Sequence, residues 1–167
     1  ESSRWSVEAA HQYPNVLATV ALHPNEAPRI FVEHGQAGLD EAIAEIDRLA
    51  SYARVRGIGE TGMDYFRTTS EGLAAQEESF RRHIEIAKRH GKALVIHDRD
   101  AHEDVVRVLL DAGAPDKVVF HCFSGDHWLA SVAKEHGWYC SFSGTVTFKN
   151  SHGVRAGLAV LPSELIL

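Results

Sequence analysis

Five short apolar runs recur along the chain: VLATVAL (Val16–Leu22), VRGIG (Val55–Gly59), ALVIH (Ala93–His97), KVVFH (Lys117–His121) and WYCSFSG (Trp138–Gly144). Segments of helical period lie between them, and this alternation constrains the fold more than any other feature, because strands joined through helices pair in parallel. The runs are nearly continuous rather than alternating, as expected of strands buried on both faces. The helical stripes are Leu39, Ile43, Ile46 and Ala50; Phe80, Ile84 and Ala87; Val105, Val106, Leu109 and Leu110; and Leu129, Val132 and Ala133. Gly91, Gly113 and Gly137 follow the last three stripes, where a left-handed residue closes a helix at little steric cost. A further helix is expected over Ser3–Tyr13. With no repeat, low-complexity segment or Pro/Gly-rich linker, residues 1–167 read as one domain. A parallel sheet built this way is either open and doubly wound, binding at one switch point, or a closed (β/α)₈ TIM barrel that gathers residues from many strand ends on one rim.

The chain has 167 residues, 44% hydrophobic and 24% charged, enough apolar mass for a core. No apolar run reaches the roughly 20 residues that span a bilayer, and ESSRWSVEAA lacks the layout of a secretory signal, so a cytoplasmic protein without membrane contact is expected. The net charge of −6 argues against a broad basic surface that grips long nucleic acid, while leaving room for a small metal-neutralised phosphate site. Cys122 and Cys140 have no C-x-x-C spacing and read as small buried hydrophobes.

Chemistry gathers where strands end. His23 follows the first run, Glu60 the second, and His97 and His121 close the next two. In a barrel these carboxyl ends share a rim, so Glu60, His97 and His121, one carboxylate and two imidazoles from three consecutive units, converge into a donor set suited to Zn, Mn or Fe. A rival reading takes Gly57, Gly59 and Gly62 as a G-x-G-x-x-G nucleotide fingerprint. That motif needs a helix to open at its last glycine, and MDYFRTTSEG follows instead, with Glu60 placing a negative charge inside the anion cradle. Gly59 and Gly62 either give metal and substrate room beside Glu60 or simply make a turn.

The stretches GETGMDYF, VIHDRDA, FHCFSG and SFSGTVTFK, in this order and spacing, resemble the TatD-like deoxyribonucleases, a family of metal-dependent hydrolases. The resemblance runs from ALHPNE to the last residues and implies a (β/α)₈ barrel, divalent metal and hydrolysis of phosphodiester bonds in DNA. It implies that Glu60 bridges two ions (Zn, Mn or Mg) as the catalytic carboxylate and that His97 and His121 are metal ligands. It places His23 near the substrate phosphate. Asp98 stands where the family often has Ser, and Asn25 where a second His often follows the proline. The family's H-x-H pair and late E-T-D stretch do not occur here, so about five to six strand units of the barrel are expected, the central part of a longer protein.

Arg99 and Lys149 are candidate phosphate contacts or ordinary ion pairs, and Arg99, between Asp98 and Asp100, reads first as a member of a solvated charge cluster. Asp64 and Tyr65 either support the site by hydrogen bonds or make a turn, and Glu77 and Glu78 belong to a solvated helix face. DNA is the expected partner, with no obligate protein partner. Two other functions stay open: an amidohydrolase-type enzyme cleaving amides or esters with the same ligands, and a scaffold with a degenerate site.

Overall fold

The computed structural model describes all of residues 1–167. Five strands, β1 (Ala18–Val20), β2 (Val55–Asp64), β3 (Ala93–Arg99), β4 (Val118–Phe120) and β5 (Tyr139–Cys140), pair in parallel in the order β1-β2-β3-β4-β5. Six α-helices accompany them: α1 (Ser2–Gln12), α2 (Glu26–Ala50), α3 (Leu73–His90), α4 (His102–Ala112), α5 (His127–His136) and α6 (His152–Val160). Strand order that follows chain order, with every crossover of the same hand, places the crossover helices on one face of the sheet. A doubly wound sheet would reverse its order at a switch point, and this one does not. The architecture is therefore an open arc of a barrel wall. Beyond β5, an isolated parallel bridge joins Cys140 to Ile166, where a further strand begins to pair.

The stripes read from the sequence form the helix-facing core. Leu39, Ile43, Ile46 and Ala50 of α2 and Phe80, Ile84 and Ala87 of α3 are buried in a single apolar cluster with Ile58, Leu94, Ile96 and Phe120 of the strands. Burying one such large side chain contributes about 2 kcal/mol. Leu110 departs from its stripe and is exposed. Gly91 and Gly137 end α3 and α5 in the left-handed region, at φ 59° and 69°. A break at Gly35, also at positive φ, divides α2.

Burial on both strand faces holds less well than expected. Along β3, Leu94, Ile96 and Asp98 are buried while Val95, His97 and Arg99 are half-buried. This period-2 pattern separates a helix-covered face from a concave face, and it is the concave face that carries His97 and Arg99. No helix is long and apolar enough to cross a membrane.

Candidate metal centre

Glu60 does not lie past the end of its strand, as the apolar run suggested, but within β2, which continues to Asp64. Gly59 is in register with Val95 and Thr61 with Ile96, so Glu60 is the extra residue of a bulge. A bulge re-aims one side chain without ending the strand. Beyond it Gly62 and Asp64 fall into register with His97 and Arg99. The Gly59–Glu60 peptide is cis.

The two glycines that flank Glu60 answer to crowding between strands rather than to ligand access or a turn. A Cβ on Gly59 would lie 2.4 Å from the Val95 Cβ, and one on Gly62 would lie 2.1 Å from the His97 carbonyl oxygen. Gly62 also has φ 139°, a conformation that only glycine adopts readily. With Gly62 inside a strand, the nucleotide fingerprint has no helix to open.

Glu60, His97 and His23 converge, each offering one donor atom within 4.8 Å of the others. His97 is the centre of the group. Its Nδ1 lies 2.5 Å from Glu60 Oε1, and its Nε2 lies 3.0 Å from Oδ2 of the buried Asp64. The His23 ring meets the His97 ring edge-on, with centroids 4.6 Å apart, and its Nε2 is 3.9 Å from Glu60 Oε1.

The charges follow from these contacts. The hydrogen bond from His97 holds Glu60 below the ordinary carboxylate range against the opposing effect of burial. Burial draws His97 downward, but hydrogen bonds and charge from Glu60 and Asp64 outweigh it and leave the imidazole raised. His23 is lowered by burial and by repulsion from His97. Asp64 stays low although burial opposes it, because the Arg67 N–H, Asn25 Nδ2 and His97 all donate to its carboxylate.

His121 lies outside this trio. It is exposed in the turn after β4, where Cys122 takes a positive φ of 45° and its Sγ lies 3.3 Å from His121 Nε2. It acts on Glu60 through charge alone. The donor atoms that meet are therefore those of His23, Glu60 and His97, where Glu60, His97 and His121 were expected. Cys122 is exposed, contrary to the reading of both cysteines as buried, while burial pushes the Cys140 thiol up to about 12. Arg99 forms no cluster with its neighbours: Asp98 turns to the other strand face and pairs with His102 Nδ1 at 2.7 Å, whereas the Arg99 guanidinium lies 3.7 Å over the Phe66 ring. Lys149 is exposed, and its carbonyl accepts from Arg155.

Behind the trio stands a buried polar scaffold that the sequence reading missed. Gln76 Oε1 accepts the Asp64 N–H at 2.9 Å, and its Nε2 donates to the Pro24 carbonyl and to Thr68 Oγ1. His83, fully buried, accepts the Leu22 N–H at Nε2 and donates from Nδ1 to the Ser79 carbonyl. The loop carrying His23 and Asn25 is thus tied to α3. The signal was present in the sequence, since Gln76, Ser79 and His83 interrupt the buried stripe of α3 at helical spacing, and buried polar residues need partners.

The sequence profile of the TatD related DNase family matches residues 1–167. The chain belongs to the TatD family. It is 42% identical, over its whole length, to the uncharacterized metal-dependent hydrolase TatD of Mycobacterium tuberculosis, and covers 62% of that protein. Against the uncharacterized metal-dependent hydrolase YabD of Bacillus subtilis the identity is 32%, covering 97% of this chain and 60% of the relative. The chain thus spans about 60% of the length of these TatD-family relatives. The crystal structure of YjjV, a TatD homologue from Escherichia coli, superposes with a TM-score of 0.84 at 23% identity, over 98% of this chain and 61% of that one. That likeness extends the open arc to the TIM-barrel-like fold of the TatD family, as the strand rhythm and the quoted motifs led one to expect.

Proposed function

We propose that this chain carries the catalytic rim of a divalent-metal-dependent deoxyribonuclease that hydrolyses phosphodiester bonds of DNA. The observation that supports it best is the position of His97 between Glu60 and Asp64. Both ring nitrogens of His97 face a carboxylate; with Nε2–H held by Asp64, loss of the Nδ1 proton would leave Nδ1 for an ion beside Glu60, the carboxylate–imidazole arrangement that presents a ligand. Glu60 offers two oxygens, enough for two ions, which a second imidazole could not do.

His23 takes a different role. Its Nδ1 accepts the Asn25 N–H at 3.2 Å, so the neutral ring carries its proton on Nε2 and presents a donor toward the rim, suited to a phosphoryl oxygen. His121, exposed on the neighbouring strand end, supplies the further imidazole ligand. Arg99, on the same concave face, supplies positive charge for a phosphate. Divalent metal bound at such a site contributes Lewis acidity and acidifies coordinated water, which is what hydrolysis of an anionic diester near neutral pH requires.

The test uses the full-length protein. Metal content is measured by elemental analysis, and hydrolysis of short DNA is followed with Mn²⁺, Mg²⁺ or Zn²⁺, with chelator, and beside a panel of amides and lactones. Chelator-sensitive release of nucleotides supports the reading. Hydrolysis of amides or lactones with DNA left intact overturns it.

A further inference from the structure

We propose that Phe66, backed by Arg99, is the surface on which a nucleobase of the substrate stacks beside the metal centre. The proposal rests on the deoxyribonuclease reading and adds a contact to the base, where that reading concerns only the phosphodiester.

Phe66 is 63% exposed in the loop that follows β2. A lone exposed aromatic means little by itself, but this one is held in place. The Asp64 carboxylate that accepts from His97 also accepts the N–H groups of Phe66, at 3.0 Å, and Arg67, at 2.9 Å. Tyr65, just before it, donates its N–H to the Arg99 carbonyl and its hydroxyl to Asp104 at 2.6 Å. The backbone that carries the ring is therefore fixed to the same carboxylate that orients the candidate ligand. A flexible loop residue would lose more freedom on binding.

One face of the ring is already covered. The Arg99 guanidinium lies over it at 3.7 Å, and the exposure of the residue leaves the opposite face to solvent. A cation on one face and an open π-surface on the other is an arrangement that accepts a flat ring, and base–aromatic stacking tolerates any of the four bases.

The charge pattern points the same way. Arg81, Arg82, Arg89 and Arg107 each pair with carboxylates, and Arg54 and Arg155 donate to backbone carbonyls. The Arg99 side chain, stacked on Phe66 at the end of β3, meets no carboxylate, although it lies between two aspartates in sequence. In a chain of net charge −6, an unpaired guanidinium stacked on one exposed ring forms a local site for an aromatic base with its flanking phosphate.

The test compares full-length, metal-loaded parent with Phe66→Ala, Phe66→Leu and Phe66→Trp. Substrates are a short deoxyoligonucleotide and copies carrying one abasic residue at successive positions. Binding is read separately, by fluorescence anisotropy of a phosphorothioate copy that resists cleavage. Phe66→Ala should raise KM and Kd by roughly 10-fold or more, with the change on KM rather than kcat. Phe66→Leu should resemble Phe66→Ala, and Phe66→Trp should resemble the parent. The parent should lose the same factor when one particular base is removed, and Phe66→Ala should not.

Equal KM and Kd for parent and Phe66→Ala, or a loss confined to kcat, would overturn the stacking role while leaving the nuclease reading intact. A parent that cleaves no DNA with any of the metals overturns the nuclease reading, and the stacking role with it.

Discussion

The imidazole of His97 and the carboxylate of Asp64 meet at 3.0 Å across the seam between β3 and β2. Only a bulge at Glu60 brings them into register: Asp64 then lies opposite Arg99, and His97 opposite Gly62. A buried acceptor on Nε2 decides which nitrogen of His97 faces outward.

Replacement of Asp64 by Asn should therefore weaken metal binding more than it disturbs the fold. The expected loss is roughly 10–100-fold in affinity, as for other hydrogen-bond partners of ligating imidazoles. Isothermal titration of parent and Asp64→Asn with Zn²⁺ or Mn²⁺ measures it, and equal affinities would remove Asp64 from the site.

Glu60→Gln should abolish hydrolysis, by more than that factor, since it removes a negative charge and one acceptor oxygen from the centre of the trio. Circular dichroism should stay parental, because Glu60 is half-buried and glutamine keeps its size and shape. Parental turnover in this variant would rule out the site.

Metal affinity should fall on acidification. Contacts with Glu60 and Asp64 outweigh burial and raise His97, so the metal-free ring keeps its proton to a higher pH than an ordinary histidine. An ion must displace that proton. The measured dissociation constant should thus increase as pH drops through and below the raised His97 value, with release of about one proton per ion seen as a buffer-dependent heat.

His83 predicts a pH dependence of stability that is separate from metal. Burial lowers it from 6.5 to about 4, so the unfolded chain binds the extra proton throughout that interval. The contribution is complete above pH 6.5 and disappears as pH falls toward 4, a loss of about 3 kcal/mol. Urea midpoints should accordingly fall between pH 7.5 and 5 by more in the parent than in His83→Met. That variant should be less stable at both pH values, since the Leu22 N–H loses its acceptor.

Gly62→Ala should destabilise the protein by about 2–4 kcal/mol, because the methyl group meets the His97 carbonyl and φ is 139°. Thermal denaturation reads the loss. Gly91→Ala, at the open end of α3 with nothing within 4 Å of the added carbon, should cost less.

The legible parts of this chain are those governed by periodicity. Apolar stripes such as Leu39, Ile43 and Ile46 mark helix faces, and the runs ending near His97 and His121 mark strands, because burial imposes a period on sequence. Glu60, His97 and His23 could be named as strand-end residues for the same reason. What escaped depends on register and rotamer. The bulge that keeps Glu60 inside β2 shows in pairing, not in composition. Asp64 read equally as a turn residue because the strand was expected to stop before it. His121 has the right residue type in the right place, and the local turn at Cys122 decides where its ring points. Gln76 and His83 could have been found by asking why polar residues occupy a buried helix face.

Because Glu60 and His97 belong to different strands and are 37 residues apart, their meeting is an event of folding. In an unfolded chain an ion would encounter scattered imidazoles and carboxylates, each too weak to hold it alone. Grip develops only after α3 has crossed over and β3 has docked beside β2. An ion held by both residues would then oppose separation of that strand pair, so metal should slow exchange of the amide hydrogens along the seam more than those of α5 or α6.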